Sequence, residues 1–174
     1  MAIVTTCRVH VKIETVTIDT AADGAGNPPQ FRTMFEKVVD FASGVAANQI
    51  DQIYVDDGSA AATPATYDLK GGAALTGPIR GAGAASFVDV ALMWFENQAT
   101  TTGKLLDVGA GSNPFLSFVK ATGDAIRIPA GGWCIWYAGQ VDDQQPVAGT
   151  GDVLTIDPGA NTVGFQFGVV GRSS

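Results

Sequence analysis

Beyond residue 85 the chain reads as a series of short apolar segments, each stopped by glycine, proline, asparagine or aspartate. ASFVDVALMWFEN (85–97) is the longest. KLLDVGAG, FLSFV, DAIRIPAGG, WCIWYAG, DVLTIDPG and VGFQFGVVG follow at intervals of roughly 8–15 residues. None carries a long apolar stripe of helical period, so they predict strands rather than alternating β-α units. Short strands at this spacing fold as an antiparallel β-sandwich or a jelly-roll-like barrel with long glycine-rich loops. The expected fold class is therefore all-β.

Composition agrees. The 22 glycines and 8 prolines supply turn residues throughout. A length of 174 residues with 46% hydrophobic content suits one well-buried domain and not two ordinary ones. Charged residues make up 16%, below the roughly 25% of typical soluble domains, so part of the surface is expected to lie under partners.

The N-terminal part is organised differently. RVHVKIETVTI (8–18) alternates, with Val9, Val11 and Ile13 on one face, which predicts a half-buried strand. DTAADGAGNPP is a loop by composition. FRTMFEKVVDFA (31–42) fits two periods. Phe31, Met34, Phe35 and Val38 suit a helix, while Phe31, Thr33, Phe35, Val39 and Phe41 suit a strand face. The Phe, Val and Thr content favours the strand. QIDQIYVDD (49–57) and YDLKG (67–71) follow, and GGAALTGPIRGAGAA (71–85) reads as a long loop. The expected division is an N-terminal strand, arm and loop over 1–30 and a sandwich over 31–174.

LLDVGAGSNPF (105–115) mimics a cofactor motif. An apolar pair, an aspartate and Gly-x-Gly begin many S-adenosylmethionine sites, and glycine turns after strands cradle pyrophosphates. Such a loop works by feeding a helix whose N-terminal amides meet the anion. Here Asn113 stands at the third glycine position, FLSFVKATG offers about two turns, and no second β-α unit follows. The expected role is a hairpin connection whose glycines permit positive φ.

Other chemistry is sparse. His10, the single histidine, falls on the polar face of the first strand, where a solvated side chain is expected. Asp56–Asp57 and Asp142–Asp143 lack the spaced carboxylates of a calcium loop, and adjacent side chains in extended backbone point apart. Glu14, Glu36 and Glu96 are scattered over three segments. Cys7 and Cys134 have no metal spacing; a disulfide would need their strands side by side, and half-buried thiols are expected. No catalytic residue, cofactor or metal is expected, and the chain does not read as an enzyme.

A net charge of −7, with ten basic residues spread from Arg8 to Arg172, argues against binding nucleic acid or an anionic membrane surface. No apolar run reaches the roughly 20 residues of a membrane span, and MAIVTTCRVHVK does not read as a secretory signal. Trp133, Trp136 and Tyr137 stand out among the aromatics. On a strand, Trp133 and Tyr137 share one face and Trp136 shares the other with Cys134, so both faces are expected to be at least partly covered. The readings are a sandwich core with a neighbouring loop, or a sheet face buried by another subunit.

FASGVAANQIDQIYVDDGSAAATPATYDLKGGAALTG is similar to a segment of small virion proteins of tailed bacteriophages. So are VALMWFENQATTTGKLLDVGAGSNPF, IRIPAGGW and GTGDVLTIDPGANTVGFQFGVVGRS. The resemblance covers roughly residues 38–174 and departs at Gly81–Ala85, where those proteins have a shorter link. It implies a β-rich particle component made in the host cytoplasm and carried on the virion head. Its role would be a decoration (cement) protein, a homotrimer, bound to the major capsid protein. Interface candidates are Val9, Val11 and Ile13 on an arm reaching a neighbour, and Trp133, Trp136 and Tyr137. Two rivals stand beside it: a tail, fibre or head-tail component, and a carbohydrate-binding sandwich with Trp133 or Trp136 as a stacking platform. Burial separates the glycan reading, since a platform leaves a tryptophan exposed in the free protein and a cement core does not.

Overall fold

The computed structural model describes residues 6–18, 30–46, 49–70, 75, 85–115, 117–138, 145–146 and 148–173. The loop readings over 19–29 and most of 71–85, and the Asp142–Asp143 pair, lie outside them. Every regular element among the described residues is a strand. The chain divides into two compact units, Thr6–Phe41 and the remainder.

The first unit is a two-stranded ribbon. β1 (Cys7–Ile18) pairs antiparallel with β2 (Gln30–Ser43), with Val9 opposite Val39, Val11 opposite Lys37 and Ile13 opposite Phe35. The ambiguous 31–42 segment is thus a strand. Its β-branched and aromatic residues suit a pleated surface, and the long partner strand supplies its hydrogen bonds. This unit takes in β2 as far as Phe41, beyond the 1–30 arm read from sequence.

The second unit is a β-sandwich. Its strands are β4 (Gln52–Ala61), β5 (Ala65–Asp68), β6 (Asp89–Asn97), β7 (Leu106–Gly109), β8 (Ala125–Ile128), β9 (Trp133–Tyr137), β10 (Val153–Asp157) and β11 (Thr162–Arg172), preceded by the short β3 (Gln49–Ile50). One sheet has the order β4-β11-β6-β9 and the other β5-β10-β7-β8. The antiparallel pairs β7–β8, β6–β9, β5–β10 and β4–β11 are nested around the 110–124 connection. A long antiparallel ribbon, rolled so that β11 also meets β6 and β10 meets β7, gives this order. That is the jelly-roll arrangement, and it leaves only β7–β8 as a hairpin within one sheet.

Period-two alternation fills the space between the sheets. Tyr54, Met93, Phe95, Phe165, Phe167 and Val169 point inward from the first sheet, against Leu106, Val108, Ile128, Leu154 and Ile156 from the second. The described residues of FLSFV, a segment expected as a strand, are not in one. Asn113 takes a left-handed φ of 52°, and Phe115 and Phe118 turn into the core instead, stacking near Trp136 and Phe95. At Val170/Gly171 the β11–β6 register shifts by a bulge, where Gly171 approaches the Asp89 carbonyl too closely for any side chain. Beside it Arg172 Nη2 donates to Asp89 Oδ2 at 2.6 Å in a nearly buried ion pair.

Asn97, fully buried at the end of β6, organises the sandwich rim. Its amide donates to the Lys104 carbonyl (3.0 Å) and the Ile128 carbonyl (2.9 Å), and its Oδ1 accepts from Ala99 N–H (3.0 Å). Asn97→Ala strands these buried backbone groups, so it is expected to cost about 2–4 kcal/mol in urea unfolding with the slope unchanged. A loss below about 0.5 kcal/mol would contradict this role.

Candidate interaction surfaces

The glycine motif folds as a connection between strands. Asp107 lies on β7 and is held in a two-point ion pair by Arg127 of β8, at 2.8 Å for each contact, which lowers its carboxyl below the usual range. Gly109 and Gly111 follow with φ of 130° and 129°. A Cβ on Gly109 would sit 2.7 Å from the Asp124 carbonyl, and one on Gly111 would sit 2.7 Å from Thr155 Oγ1. The glycines are therefore needed for backbone conformation and close approach within the sandwich.

The titratable residues form short local pairs. His10 Nε2 lies 2.8 Å from Glu36, and Arg8 forks onto Asp40, all on the exposed polar face of the ribbon. Glu14 pairs with Lys12 at 3.6 Å. Asp56 and Asp57 point to opposite faces of β4: Asp57 is exposed, while Asp56 accepts a hydrogen bond from Tyr67 Oη at 2.8 Å. Among the described residues no group of three or more His, Cys, Asp or Glu is placed to hold a metal ion. Cys7 and Cys134 are free, lie on strands that do not pair with each other, and have thiols pushed up by burial.

Met34 and Val38 are exposed among the charged residues of the ribbon, and two apolar patches of greater continuity face outward. On the ribbon, Val11 and Ile13 of β1 stand opposite Lys37 and Phe35 of β2 on one face. Ile13 and Phe35 are 53% and 56% exposed, although Val39 and Phe41 further along that face are buried. On the sandwich, β9 is the edge of its sheet, and its outward residues Trp133 and Ile135 stand opposite Glu96 and Trp94 of β6. Trp133 is 65% and Ile135 40% exposed. The Trp94 indole packs against Gly168 of β11, where a Cβ would come within 2.0 Å of the ring. These side chains border an open groove of about 370 Å³.

Alternation sorts the aromatic candidates. Trp136 points inward, half-buried, with Phe115 at 6.3 Å and Phe118 at 6.1 Å between ring centroids, so it belongs to the core. Tyr137 continues the Trp133 face and is half-buried. The inner face of this strand is covered by the core, and on the outer face Tyr137 is half-buried while Trp133 is open in the single chain. Phe35, Lys37, Trp94 and Glu96 complete the two patches, and sequence reading had not joined them to Ile13 and Trp133. Cross-strand register was the missing signal.

No protein-family model, curated protein or solved structure matches the chain.

Burial raises the phenol of Tyr54 to about 12, aided by the charge of Asp56, and pushes Tyr67 up further. Both folded-state values lie above the ordinary 10.0, so the stability they contribute is complete below pH 10 and is lost as pH rises through about 12. Thermal melts should fall across that window, and more steeply than those of a Tyr54→Phe/Tyr67→Phe variant. Identical alkaline slopes would contradict the assignment.

Proposed function

We propose that this chain is a non-enzymatic structural subunit of a tailed-bacteriophage virion. In this reading it is a decoration protein that sits on the major capsid protein lattice as a homotrimer and stabilises the head. The observation that carries the reading is the β1–β2 ribbon. A two-stranded ribbon is marginal by itself in water, and this one presents Ile13 and Phe35 to solvent on its apolar face. A surface of that kind gains stability when a neighbouring subunit covers it, and the work done is mechanical, through buried area. The jelly-roll sandwich suits the role as a rigid body with short, interleaved strands. The same architecture also serves lectin domains, so fold alone does not select between them.

One observation favours the glycan reading: Trp133 is exposed, as a stacking platform requires, with the Glu96 carboxylate beside it to accept from hydroxyls. By the burial criterion this exposure counts for the glycan reading, and the virion reading accommodates it only with Trp133 as an interface aromatic that a partner covers.

Quantitative mass spectrometry and gold-labelled antibody on purified particles from the producing culture test the proposal. The expected result is many copies per particle, with label over the head. Label confined to the tail moves the protein to that position, and absence from particles overturns the virion reading.

A further inference from the structure

The two exposed patches have matching chemistry. Each is a square of four side chains made by two directly opposed cross-strand pairs: Val11–Lys37 with Ile13–Phe35 on the ribbon, and Glu96–Trp133 with Trp94–Ile135 on the sandwich. Each has three apolar corners and one exposed charged corner, a cation on the ribbon and an anion on the sandwich. We infer that the ribbon patch of one copy docks on the β9 patch of a second copy, with Lys37 meeting Glu96 across the contact.

Charge complementarity argues for this occupant. Covering the Trp133 groove with a purely apolar partner would leave Glu96 desolvated at its edge, and covering the ribbon would do the same to Lys37. A second copy supplies to each patch the apolar area and the one opposite charge that it lacks. In an otherwise acidic chain, Lys37 is the cation offered on the apolar side of the ribbon. Aliphatic and phenyl groups of Val11, Ile13 and Phe35 then fill a groove walled by two indoles, a setting in which aromatic residues anchor interfaces. The two surfaces differ, so the contact is head-to-tail and closes into a ring such as a trimer when the rotation permits.

This inference rests on the homo-oligomer part of the proposed function and not on the capsid. Its test is a charge-reversal cycle read by light scattering on a sizing column, across a concentration series of the full chain. Both positions are exposed, so the substitutions leave the core intact. K37E and E96K, each alone, are expected to weaken association about tenfold, and the K37E/E96K double variant to restore it. An assembled wild type whose mass neither single variant changes overturns this contact while leaving self-association standing. A wild type that stays at 17.9 kDa at every concentration overturns both. A soluble polysaccharide that shifts tryptophan emission, in a chain whose mass K37E leaves unchanged, assigns the groove to glycan instead.

Discussion

The two sheets of the sandwich are held where Phe167 meets Tyr67. Their ring centroids are 4.5 Å apart, the closest of a set of aromatic contacts that also joins Phe167 to Phe95 at 6.1 Å and to Tyr54 at 5.6 Å. Phe167 stands on β11, the strand that pairs with both β4 and β6, while Tyr67 comes from β5 in the facing sheet. Fixing this contact fixes the register of the central strands, because a shift of one residue would turn Phe165, Phe167 and Val169 out to solvent. The nested ribbon, the bulge at Gly171 and the rim hydrogen bonds of Asn97 all follow from keeping that face inward. Tyr67 also binds Asp56, so the one inward carboxylate of β4 is satisfied by the same residue that joins the sheets.

Strand content was legible because most segments announce themselves by alternation and by the residues that stop them. ASFVDVALMWFEN contains β6, WCIWY is β9, and the two faces of WCIWY were separable from spacing alone. FLSFV misled for a physical reason. Its apolar residues suit a strand, yet the chain turns at the left-handed Asn113, and Phe115 and Phe118 pack against each other as core plugs. The glycine motif was readable by its context: without a following helix, Gly109 and Gly111 had only backbone work to do. Strand order was not readable, since the pairing of β5 with β10 spans a separation that local pattern does not encode. The interaction surfaces were half legible for the same reason. Ile13 and Trp133 stood out singly, but their partners Phe35, Lys37, Trp94 and Glu96 emerge only once register is known.

What the fold leaves outside bears on function more than what it encloses. The sandwich gathers most of its large apolar residues into one core, and Arg8, His10, Glu36 and Asp40 of the ribbon pair among themselves on one face, with Lys37 on the other. Against that background, Ile13 and Phe35 on one unit and Trp133 and Ile135 on the other are apolar surface that the single chain does not cover. The low charge content of the sequence, 16%, is in keeping with the proposal that part of this surface is covered by neighbours. The decoration-protein proposal and the head-to-tail contact are two levels of one idea, that the chain's work is done by association.

Acrylamide quenching of tryptophan emission across a dilution series tests that idea most directly. Trp136 is held in the core, and Trp133 is the tryptophan most open to solvent in the single chain. If association covers the β9 patch, quenching is weak in concentrated protein and rises on dilution as Trp133 returns to water. Quenching that is strong and equal at every concentration would mean that no second copy covers the patch, and would contradict the account.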